Sequence, residues 1–539
     1  MGNHSTATRQ RSVRHLARTA TALAAGGALL LSGCSAGGGT PEDGETITVL
    51  VVKSGLTKPM KDIEWVDQLE KQAEVKIKWQ EIAADWDQKK ATLLASGDVP
   101  DLIIGSNVIT DSELSKYGSL FEDLGEHMDE LPNVRDMFGE VEGAEQMATQ
   151  EDGAVYAIPS WYEYWPQASV RQYINQEWLD NLGLDMPRDW DELYDVLVQF
   201  EEKDANGNGD SDDEIPMDWA PVPTWGFGYF NPMELLSSVG IVTSNGGGQG
   251  TYVQDGEVKN FLVSDGYRQT LEFLSKAWAA GLINPDNFTQ DYAAYQAIGR
   301  GDGDDARVGF SWGWTASDRF GAALDDQYVS MAPIPRKLGQ REPVVWGWDF
   351  YNLNPNHILM SKKTTNKDAA LRAINEFYSQ DMSVQTLWGT LGKDVEKIDD
   401  TTYEVLPPAD PETDSSTWKW QETLGDAAPT WIRGGLDVTL PQDLDEAVVE
   451  SEPLQDALAA VNPATDTFPQ YIKVPQADRD QIALNNTTVM NVAMSAFADF
   501  ITNGDIEGKW DAYVSQLEKS GLTQNVDLLQ KAYDAGLGG

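Results

Sequence analysis

The chain has 539 residues, of which 41% are hydrophobic, and its 87 acidic and 39 basic residues give a formal net charge of -48. This length and apolar content allow two to four domains with cores of their own, which excludes disorder along the whole chain. The charge disfavours nucleic acid and anionic membrane surfaces as partners because approach to phosphate begins with repulsion, and a single cysteine excludes an internal disulfide.

Positions 1–33 have the pattern of a secretory signal. Four arginines and no acidic residue precede an apolar stretch at 23–31 that is too short to span a bilayer. The stretch ends in Leu31-Ser32-Gly33-Cys34, which resembles the bacterial lipobox, where a peptidase cuts before a cysteine that receives diacylglycerol.

Cys34 is therefore the predicted lipidation site, and its acyl chains are expected to hold the protein on the outer, extracellular face of the cytoplasmic membrane. The alternative is a free cysteine beside an ordinary cleavage site. Residues 34–45 are rich in glycine and are typical of a flexible tether. No later apolar run reaches about 18 residues, so we expect the remainder to be soluble and extracytoplasmic.

The segment after the tether alternates predicted strands and helices. The pattern predicts a strand over 46–52, a helix over 63–74, a strand over 75–81, a helix over 85–96 that ends at Gly97, and a strand over 101–104. Strands and helices that alternate at this spacing are typical of a parallel α/β sheet.

Later segments continue the mixed pattern. Helical periodicity is found over 189–200, 268–280, 367–378, 489–502 and 509–519, and short strands are predicted at 308–310 and 357–360. No internal repeat is found in the range of about 20–50 residues. The sequence predicts an α/β protein with two lobes.

Several segments together resemble the family 1 extracellular solute-binding proteins of ABC sugar importers, in particular their larger Gram-positive members. They are 93–102 (LLASGDVPDL), 155–159 (VYAIP), 178–184 (WLDNLGL) with Pro187, 190–193 (WDEL), 496–504 (AFADFITNG) and 510–513 (WDAY). The resemblance covers almost the whole chain after the tether, and its specificity comes from the order of the segments together with the lipobox.

The resemblance implies a type II periplasmic-binding-protein-like fold with a hinged cleft between two lobes. It places the first crossing between lobes just after Pro159 and the return near 346–353. We therefore expect residues 46–160 and 346–400 in the first lobe, and residues 161–345 and 401–539 in the second. The lobes are expected to close on a ligand, and the closed form to dock on the permease subunits of an ABC importer.

An acidic, glycine-containing loop at 204–216 is a candidate calcium site. Positions 204–214 hold five carboxylates and two amides, and oxygen-bearing side chains occupy loop positions 1, 3 and 5 before a glycine at position 6. Calcium prefers six to eight hard oxygen ligands, which this spacing can wrap around one ion. Position 12 is Ile215, so the loop is not a complete EF-hand. The alternative is a solvated acidic turn.

The loop also resembles the calcium loop of some solute-binding proteins, including alginate-binding ones. The resemblance implies a structural Ca2+ held by six residues, with Asp212 as an alternative to one of the last two. They are Asp204, Asn206, Asn208, Asp210 through its carbonyl, Asp213 and Glu214. The other acidic turn, 302–305, lacks the amides and the length, and is interpreted as a surface loop.

The tryptophans and tyrosines number 19 and 18 and cluster beside the inferred crossings. A pyranose ring has an apolar face and a rim of hydroxyls, so it binds between aromatic platforms and planar polar side chains. The candidate ligand-binding aromatics are Trp161, Tyr162, Tyr164, Trp165, Trp225, Trp312, Trp314, Trp346 and Trp348. For each one the alternative is core packing. Trp312 and Trp314 alternate on a strand, which predicts that both point to one face.

Candidate polar partners are Arg171 and Asp349, with Glu163 and Asp318 also close in sequence to the aromatics. The alternative is that each is an ordinary surface or hinge residue. The large negative charge disfavours uronic acids as ligands, although a basic patch at Arg171 or Arg319 would reverse that preference.

The predicted function is capture of an oligosaccharide by a monomeric, lipid-anchored receptor that delivers it to an ABC importer. A secreted glycoside hydrolase or lyase is the first alternative, since paired carboxylates near aromatics also suit glycosidic cleavage. Accidental carboxylate pairs abound in so acidic a chain, and common hydrolase and nucleotide-binding motifs are missing, so no residue is predicted to be catalytic. A receptor for a peptide or another solute is the second alternative.

Overall fold

The computed structural model describes residues 45–163, 166–244, 247–303, 305–349, 352–409 and 415–537. The predicted signal, Cys34 and the glycine-rich tether lie outside these residues, as do Tyr164 and Trp165. The described residues belong to one compact unit. None of their helices is both long and apolar enough to cross a membrane.

The strands are short and distributed along the whole chain. They are β1 (Glu45–Val52), β2 (Val75–Ile82), β3 (Leu102–Ile104), β4 (Ala157–Tyr162), β5 (Arg171–Asn175), β6 (Ile215–Met217), β7 (Thr251–Gln254), β8 (Glu257–Asn260), β9 (Val308–Gly313), β10 (Tyr328–Ser330), β11 (Leu353–Met360), β12 (Val395–Lys397), β13 (Thr402–Val405), β14 (Trp431–Ile432) and β15 (Asp437–Thr439).

The helices cover these strands. They are α1 (Glu64–Gln72), α2 (Trp86–Ser96), α3 (Asp111–Tyr117), α4 (Pro132–Glu140), α5 (Ala144–Ala148), α6 (Gln176–Leu182), α7 (Trp190–Glu202), α8 (Asp265–Ala279), α9 (Tyr292–Gly299), α10 (Ala316–Phe320), α11 (Lys367–Phe377), α12 (Gln380–Trp388), α13 (Ser415–Glu422), α14 (Gln442–Val449), α15 (Gln455–Ala459), α16 (Pro463–Asp466), α17 (Gln476–Asn503), α18 (Ile506–Lys519) and α19 (Leu522–Leu537).

The first lobe is built on a six-stranded sheet in the order β14-β4-β11-β3-β1-β2. Strand β1 runs parallel to both β2 and β3, as the sequence predicts. Its residues Ile47, Val49 and Val51 enter one core, and Leu50 enters a second core on the opposite face. Both faces are therefore covered, which explains the nearly continuous apolar sequence of this strand.

The second lobe is built on a four-stranded sheet in the order β10-β5-β9-β6. One large core packs on it and includes Leu193, Leu197 and Phe200 from α7. The side chain of Asp189 caps α7 by accepting a hydrogen bond from the backbone N of Glu192 at 3.0 Å. The predicted α/β fold with two lobes is confirmed.

Helix α17 begins at Gln476, well before the predicted start at residue 489. Its buried residues lie between Val489 and Ile501, and this part packs into the core of the second lobe. Residues 476–488 have no buried side chain. Hydrophobic periodicity appears only where one face of a helix is buried. The sequence pattern therefore did not predict the polar segment of α17 before residue 489.

The described chain passes between the two lobes three times. It leaves the first sheet after β4 and enters the second at β5, and it returns between β10 and β11. The sequence-based boundaries place residues from 401 onward in the second lobe. In the structure, Tyr403 and Trp431 pack into the core of the first lobe, and β14 pairs with β4. The third passage runs along α14, whose Glu446 accepts a hydrogen bond from Ser317 of the second lobe at 2.9 Å.

Candidate functional site

The acidic loop lies between α7 and β6 and is organised by its own side chains. Asp204 Oδ2 accepts a hydrogen bond from the backbone N of Gly209 at 3.0 Å. Asn206 Oδ1 accepts from Asn208 N at 3.0 Å, and Asn208 Oδ1 accepts from Asp210 N at 2.8 Å. Gly209 has φ of +95°, which favours glycine at the sixth position. The oxygen-bearing side chains are therefore held on a tight turn.

Two carboxylates anchor the loop and keep one oxygen each without a partner. Glu214 Oε1 accepts from the backbone N of Ala205 at 2.7 Å and of Asn206 at 3.3 Å. Its Oε2 and Asp204 Oδ1 are buried and receive no hydrogen bond. Burial raises the pKa of Glu214, against the effect of these backbone donors. Buried, unpaired anionic oxygens are costly and suit a bound cation.

Other predicted loop ligands are engaged with each other. Asp213 accepts hydrogen bonds from the side-chain amides of Asn206 at 3.3 Å and Asn208 at 3.1 Å. Asp212 donates its backbone N to Asp210 Oδ1 at 3.1 Å and has an exposed side chain. Within the described residues, no group of three or more His, Cys, Asp or Glu side chains is arranged to hold a metal ion. The loop instead combines its carboxylates with the side-chain amides of Asn206 and Asn208.

The tryptophans predicted to bind ligand divide into buried and accessible ones. Trp312 is fully buried against Phe310, and Trp346 is buried with its Nε1 donating to the carbonyl of Val170 at 2.9 Å. Strand β9 ends at Gly313, so strand alternation does not extend to Trp314, which is only partly buried. Core packing therefore accounts for Trp312 and Trp346 in this conformation.

Trp161 and Trp348 are partly buried beside the crossings, whereas Tyr162 is buried. Trp161 Nε1 donates to Glu163 Oε2 at 2.9 Å. Tyr162 donates its hydroxyl to the carbonyl of Ala428 at 3.2 Å in the first core, and burial raises its pKa. Trp348 packs against two small clusters at the return crossing. Of the described aromatics in this region, Trp161 and Trp348 keep accessible surface.

Arg171 and Arg319 do not form a basic patch, because both side chains are buried. Arg171 donates to the carbonyls of Trp314 and Ala447 at 2.7 and 2.6 Å, and to Ser451 Oγ. Its guanidinium also lies 4.7 Å from the centroid of the Trp314 ring. These contacts attach the third crossing to β5, so Arg171 has a structural role here.

Asp349 is also buried, at the return crossing. Its Oδ2 accepts hydrogen bonds from the backbone N and the hydroxyl of Ser169, and its own backbone N donates to the carbonyl of Gln167 at 2.8 Å. Ser169 lies on the first crossing, so this carboxylate ties two crossing segments together. Asp318 is exposed and makes no comparable contact to a crossing segment among the described residues.

Trp225 is 61% exposed and forms one wall of a groove of about 490 Å3 on the second lobe. Helix α17, from Arg479 to Asn491, forms the opposite wall. The groove is lined by Thr224, Trp225, Gln249, Val474, Arg479, Ile482, Ala483, Asn486, Thr487, Met490, Asn491 and Leu529. Sequence analysis identified only Trp225 among these residues. The amides of Asn486 and Asn491 on α17 form no recognisable motif in the sequence.

A second cavity of about 320 Å3 lies between the first lobe and the segment before α17. Asn107 and Asn356 line it with positive φ values of +42° and +54°. Lys473 Nζ lies 3.3 Å from Asp111 Oδ2. The segment leading into α17 is therefore tied to the first lobe.

Comparisons with known proteins place this geometry among transport receptors, although no family model matches the chain. An extracellular solute-binding protein from Bifidobacterium longum subsp. infantis is 34% identical, with a TM-score of 0.84 over 92% of this chain and 99% of that chain. An HMO binding ABC-transporter associated solute binding protein from the same organism is 33% identical, with a TM-score of 0.84 over 91% of this chain and 99% of that one.

A curated relative is more distant. The fructooligosaccharide ABC transporter substrate-binding protein FusA of Streptococcus pneumoniae is 26% identical over 485 residues, which cover 87% of this chain and 86% of FusA. A solved FusA structure, an EF-hand mutant in complex with fructo-nystose, has the same fold with a TM-score of 0.73 and 24% identity, over 91% of this chain and 99% of that one.

Proposed function

We propose an oligosaccharide as the cargo of this chain, which belongs to the extracellular solute-binding proteins of ABC transporters. The observation that carries the proposal is its similarity, over nine-tenths of its length, to an HMO binding protein of that family. The curated relative FusA is also named as the binding protein of a fructooligosaccharide transporter. The chain is proposed to bind its cargo without turnover and to deliver it to an ABC importer.

The proposed mechanism is closure of the two lobes on the sugar. The crossings connect the separate sheets, and buried contacts such as Ser169 to Asp349 tie the crossings to one another. Contacts from both lobes are complete only in the closed state, so a ligand shifts the equilibrium by its difference in affinity for the two states. The predicted lobe boundaries, with residues 402–439 moved to the first lobe, are part of this proposal.

The test is binding of defined oligosaccharides to residues 35–539, measured by calorimetry and thermal shift. Stoichiometric binding with a rise in melting temperature is expected, because a ligand of the native state stabilises it by mass action. Chromatography of the same samples should recover the sugar intact. Release of shorter sugars would contradict the proposal and favour the hydrolase alternative. Binding of peptides alone would contradict the choice of cargo.

Calcium in the acidic loop is proposed as a structural ion of the second lobe. The support is the pair of buried, unpaired oxygens on Asp204 and Glu214 and the row of amide oxygens between them. The positive charge of the ion would offset the mutual repulsion of the five carboxylates in the loop. Asp204, Asn206, Asn208, Asp210, Asp213 and Glu214 remain the proposed ligands, with Asp212 as the alternative.

Calcium titration tests this proposal directly. Calcium is expected to raise the melting temperature of the native chain, and Asp204→Ala should abolish the rise. Asp302→Ala is the matched control, since it removes a carboxylate from the other acidic turn. An equal calcium effect in the native chain and Asp204→Ala would show that the ion binds elsewhere.

Attachment to the membrane through Cys34 is proposed from the sequence alone. Cys34→Ser should release the protein from cells into the medium, because acylation needs the thiol. A Ser35→Ala variant, which alters the neighbouring residue, should stay in the membrane fraction. Retention of Cys34→Ser with the cells would contradict the anchor.

A further inference from the structure

We propose that the groove between Trp225 and α17 is a subsite for an uncharged part of the oligosaccharide. The inference rests on the proposed function and adds to it a location and a ligand class. Three observations carry it: an exposed tryptophan on a fixed loop, a chain of oriented amides, and the pairing of the charged side chain in the groove.

The Trp225 ring is held out from a fixed backbone. The neighbouring Gly226 has φ of +154°, and a Cβ at that position would lie 2.6 Å from the carbonyl oxygen of Gly248. The backbone N of Phe227 donates to the same carbonyl at 2.7 Å, and the Phe227 side chain is buried in the core. A large flat apolar surface is therefore presented to solvent from a backbone that the buried Phe227 holds in place, as stacking on a sugar face requires.

A chain of side-chain amides fixes the polar side of the groove. The buried Asn525 donates its Nδ2 to Asn486 Oδ1 at 2.7 Å, and Asn486 in turn donates to Gln249 Oε1. Gln249 Nε2 then donates to the carbonyl of Trp225 at 3.2 Å. These hydrogen bonds assign the orientation of each amide and connect the polar wall of the groove to the backbone of Trp225.

Thr487 and Asn491 add exposed polar groups to the same wall, one helical turn apart on α17. The Asn491 amide can donate and accept hydrogen bonds, and the Thr487 hydroxyl, which donates to the carbonyl of Ala483 at 3.2 Å, can accept one, which matches the hydroxyl rim of a sugar. Met490 lies buried among them and contributes apolar lining. The groove therefore offers a flat platform with neutral polar groups around it, at a volume within the usual range for ligand sites.

The charge of the groove opposes an anionic sugar. Of the described residues that line it, Arg479 alone is charged. Its Nη1 donates to the carbonyl of Val474 at 2.8 Å and its Nη2 to Gln476 Oε1 at 2.6 Å, with Glu151 at 4.0 Å. A uronate would therefore meet a guanidinium whose charge the Glu151 carboxylate partly offsets and two of whose five N–H groups already have acceptors. It would also approach a protein of formal charge -48.

The test compares neutral galacto-, fructo- and manno-oligosaccharides with oligogalacturonates of the same length. Calorimetry on residues 35–539 provides the affinities. Neutral sugars are expected to bind more tightly than uronates. Trp225→Ala should weaken the best neutral sugar by about 10-fold or more, since it removes a stacking platform of about 1.4 kcal/mol or more. Trp225→Phe should retain binding within about 3-fold, because a flat ring remains.

Tyr292→Ala is the matched control, because Tyr292 is another exposed aromatic of the second lobe, at 50% exposure. It should bind every sugar as the native chain does. Asn491→Leu tests the polar wall and should weaken binding while the melting temperature stays near that of the native chain, since the Asn491 side chain is exposed.

Each other result has a defined meaning. Native affinity in Trp225→Ala overturns the subsite and leaves the oligosaccharide function standing. Tighter binding of uronates overturns the ligand class. Binding of no sugar by the native chain overturns the proposed function and this inference with it.

Discussion

Trp312 and Trp225 stand in the same lobe, yet one is fully buried and the other is 61% exposed. Trp312 lies on β9 inside the core, where its ring packs edge-on against Phe310 with centroids 4.9 Å apart. Trp225 lies on a loop beside a groove. The same residue type therefore stabilises the lobe in one place and is available to a ligand in the other.

The arginines of these two regions differ in the same way. Arg319 is fully buried and donates to Asp218 Oδ2 at 2.6 Å, to Ser311 Oγ at 3.1 Å and to the carbonyl of Tyr295 at 2.7 Å. Arg479 is only partly buried at the groove. Arg319 is fully committed to the fold, so substitutions in the interior should affect stability, and substitutions at the groove should affect binding.

The largest expected effect comes from the buried ion pair. Arg319→Ala should lower the free energy of unfolding by about 3–5 kcal/mol, because Asp218 is left as an uncompensated buried charge. Chemical denaturation measures the loss. Arg479→Ala is the control and should cost much less. Equal costs for the two variants would break the distinction between interior and groove.

Truncation of the interior tryptophan is expected to have a similar or slightly smaller effect. Trp312→Ala should cost about 3–5 kcal/mol by opening a cavity in the packed core. Trp312→Phe, which fills part of the space, should cost less. A loss below about 1 kcal/mol in Trp312→Ala would show that the ring is not a core element.

Glu450 makes the interior contacts of the third crossing sensitive to pH. Its Oε2 accepts from the Tyr173 hydroxyl at 2.7 Å, and its Oε1 from the backbone N of Ala316 at 3.1 Å. Burial raises the pKa of Glu450 to about 7. The neighbouring carboxylate of Glu446 raises this pKa further, and the hydrogen bond from Tyr173 and the charge of Arg171 oppose the rise.

Because the folded pKa exceeds the unfolded one, this group stabilises the fold at low pH, and its contribution is lost as pH rises from about 4.5 through about 7. Glu450→Gln should remove this loss, at most about 3 kcal/mol, from the pH dependence of unfolding. Denaturation of both proteins at about pH 5 and about pH 8, on either side of the folded pKa, measures it. An unchanged pH dependence in Glu450→Gln would contradict the assignment.

The smallest effect on stability is expected at the groove. Trp225→Ala should change the free energy of unfolding by no more than about 0.5 kcal/mol, since most of the ring is already exposed to water. Thermal melting without ligand is the measurement. A loss comparable to that of Trp312→Ala would show that Trp225 also supports the fold.

Predictions from the sequence were most accurate where local pattern and tertiary burial agree. Strands β1 and β3 and helices α1 and α2 lie within a few residues of their predicted ranges. Helix α2 ends before Gly97, whose φ of +64° suits the predicted C-cap. Helix α17 extends beyond its buried part, and the sequence pattern predicted only the buried part. Hydrophobic periodicity therefore reveals a helix only where one of its faces is buried.

Strand β14, before the third crossing, shows a second limit of sequence-based prediction. Strand β14 consists of Trp431 and Ile432 alone, and it pairs with β4, which lies far earlier in the chain. A segment that short has no periodicity of its own. Its place in the first lobe follows from long-range pairing, which neither composition nor spacing reports.

The sequence by itself determined the class of fold, the family, the acidic loop and the abundance of aromatic and amide side chains, because these depend on local pattern and composition. Tertiary structure alone decided which tryptophans are buried, that Arg171 and Arg319 serve the interior, and that Trp225, Gln249 and Asn486 meet at one groove. Residues from distant segments meet there through packing, and burial depends on neighbours that the linear sequence does not identify.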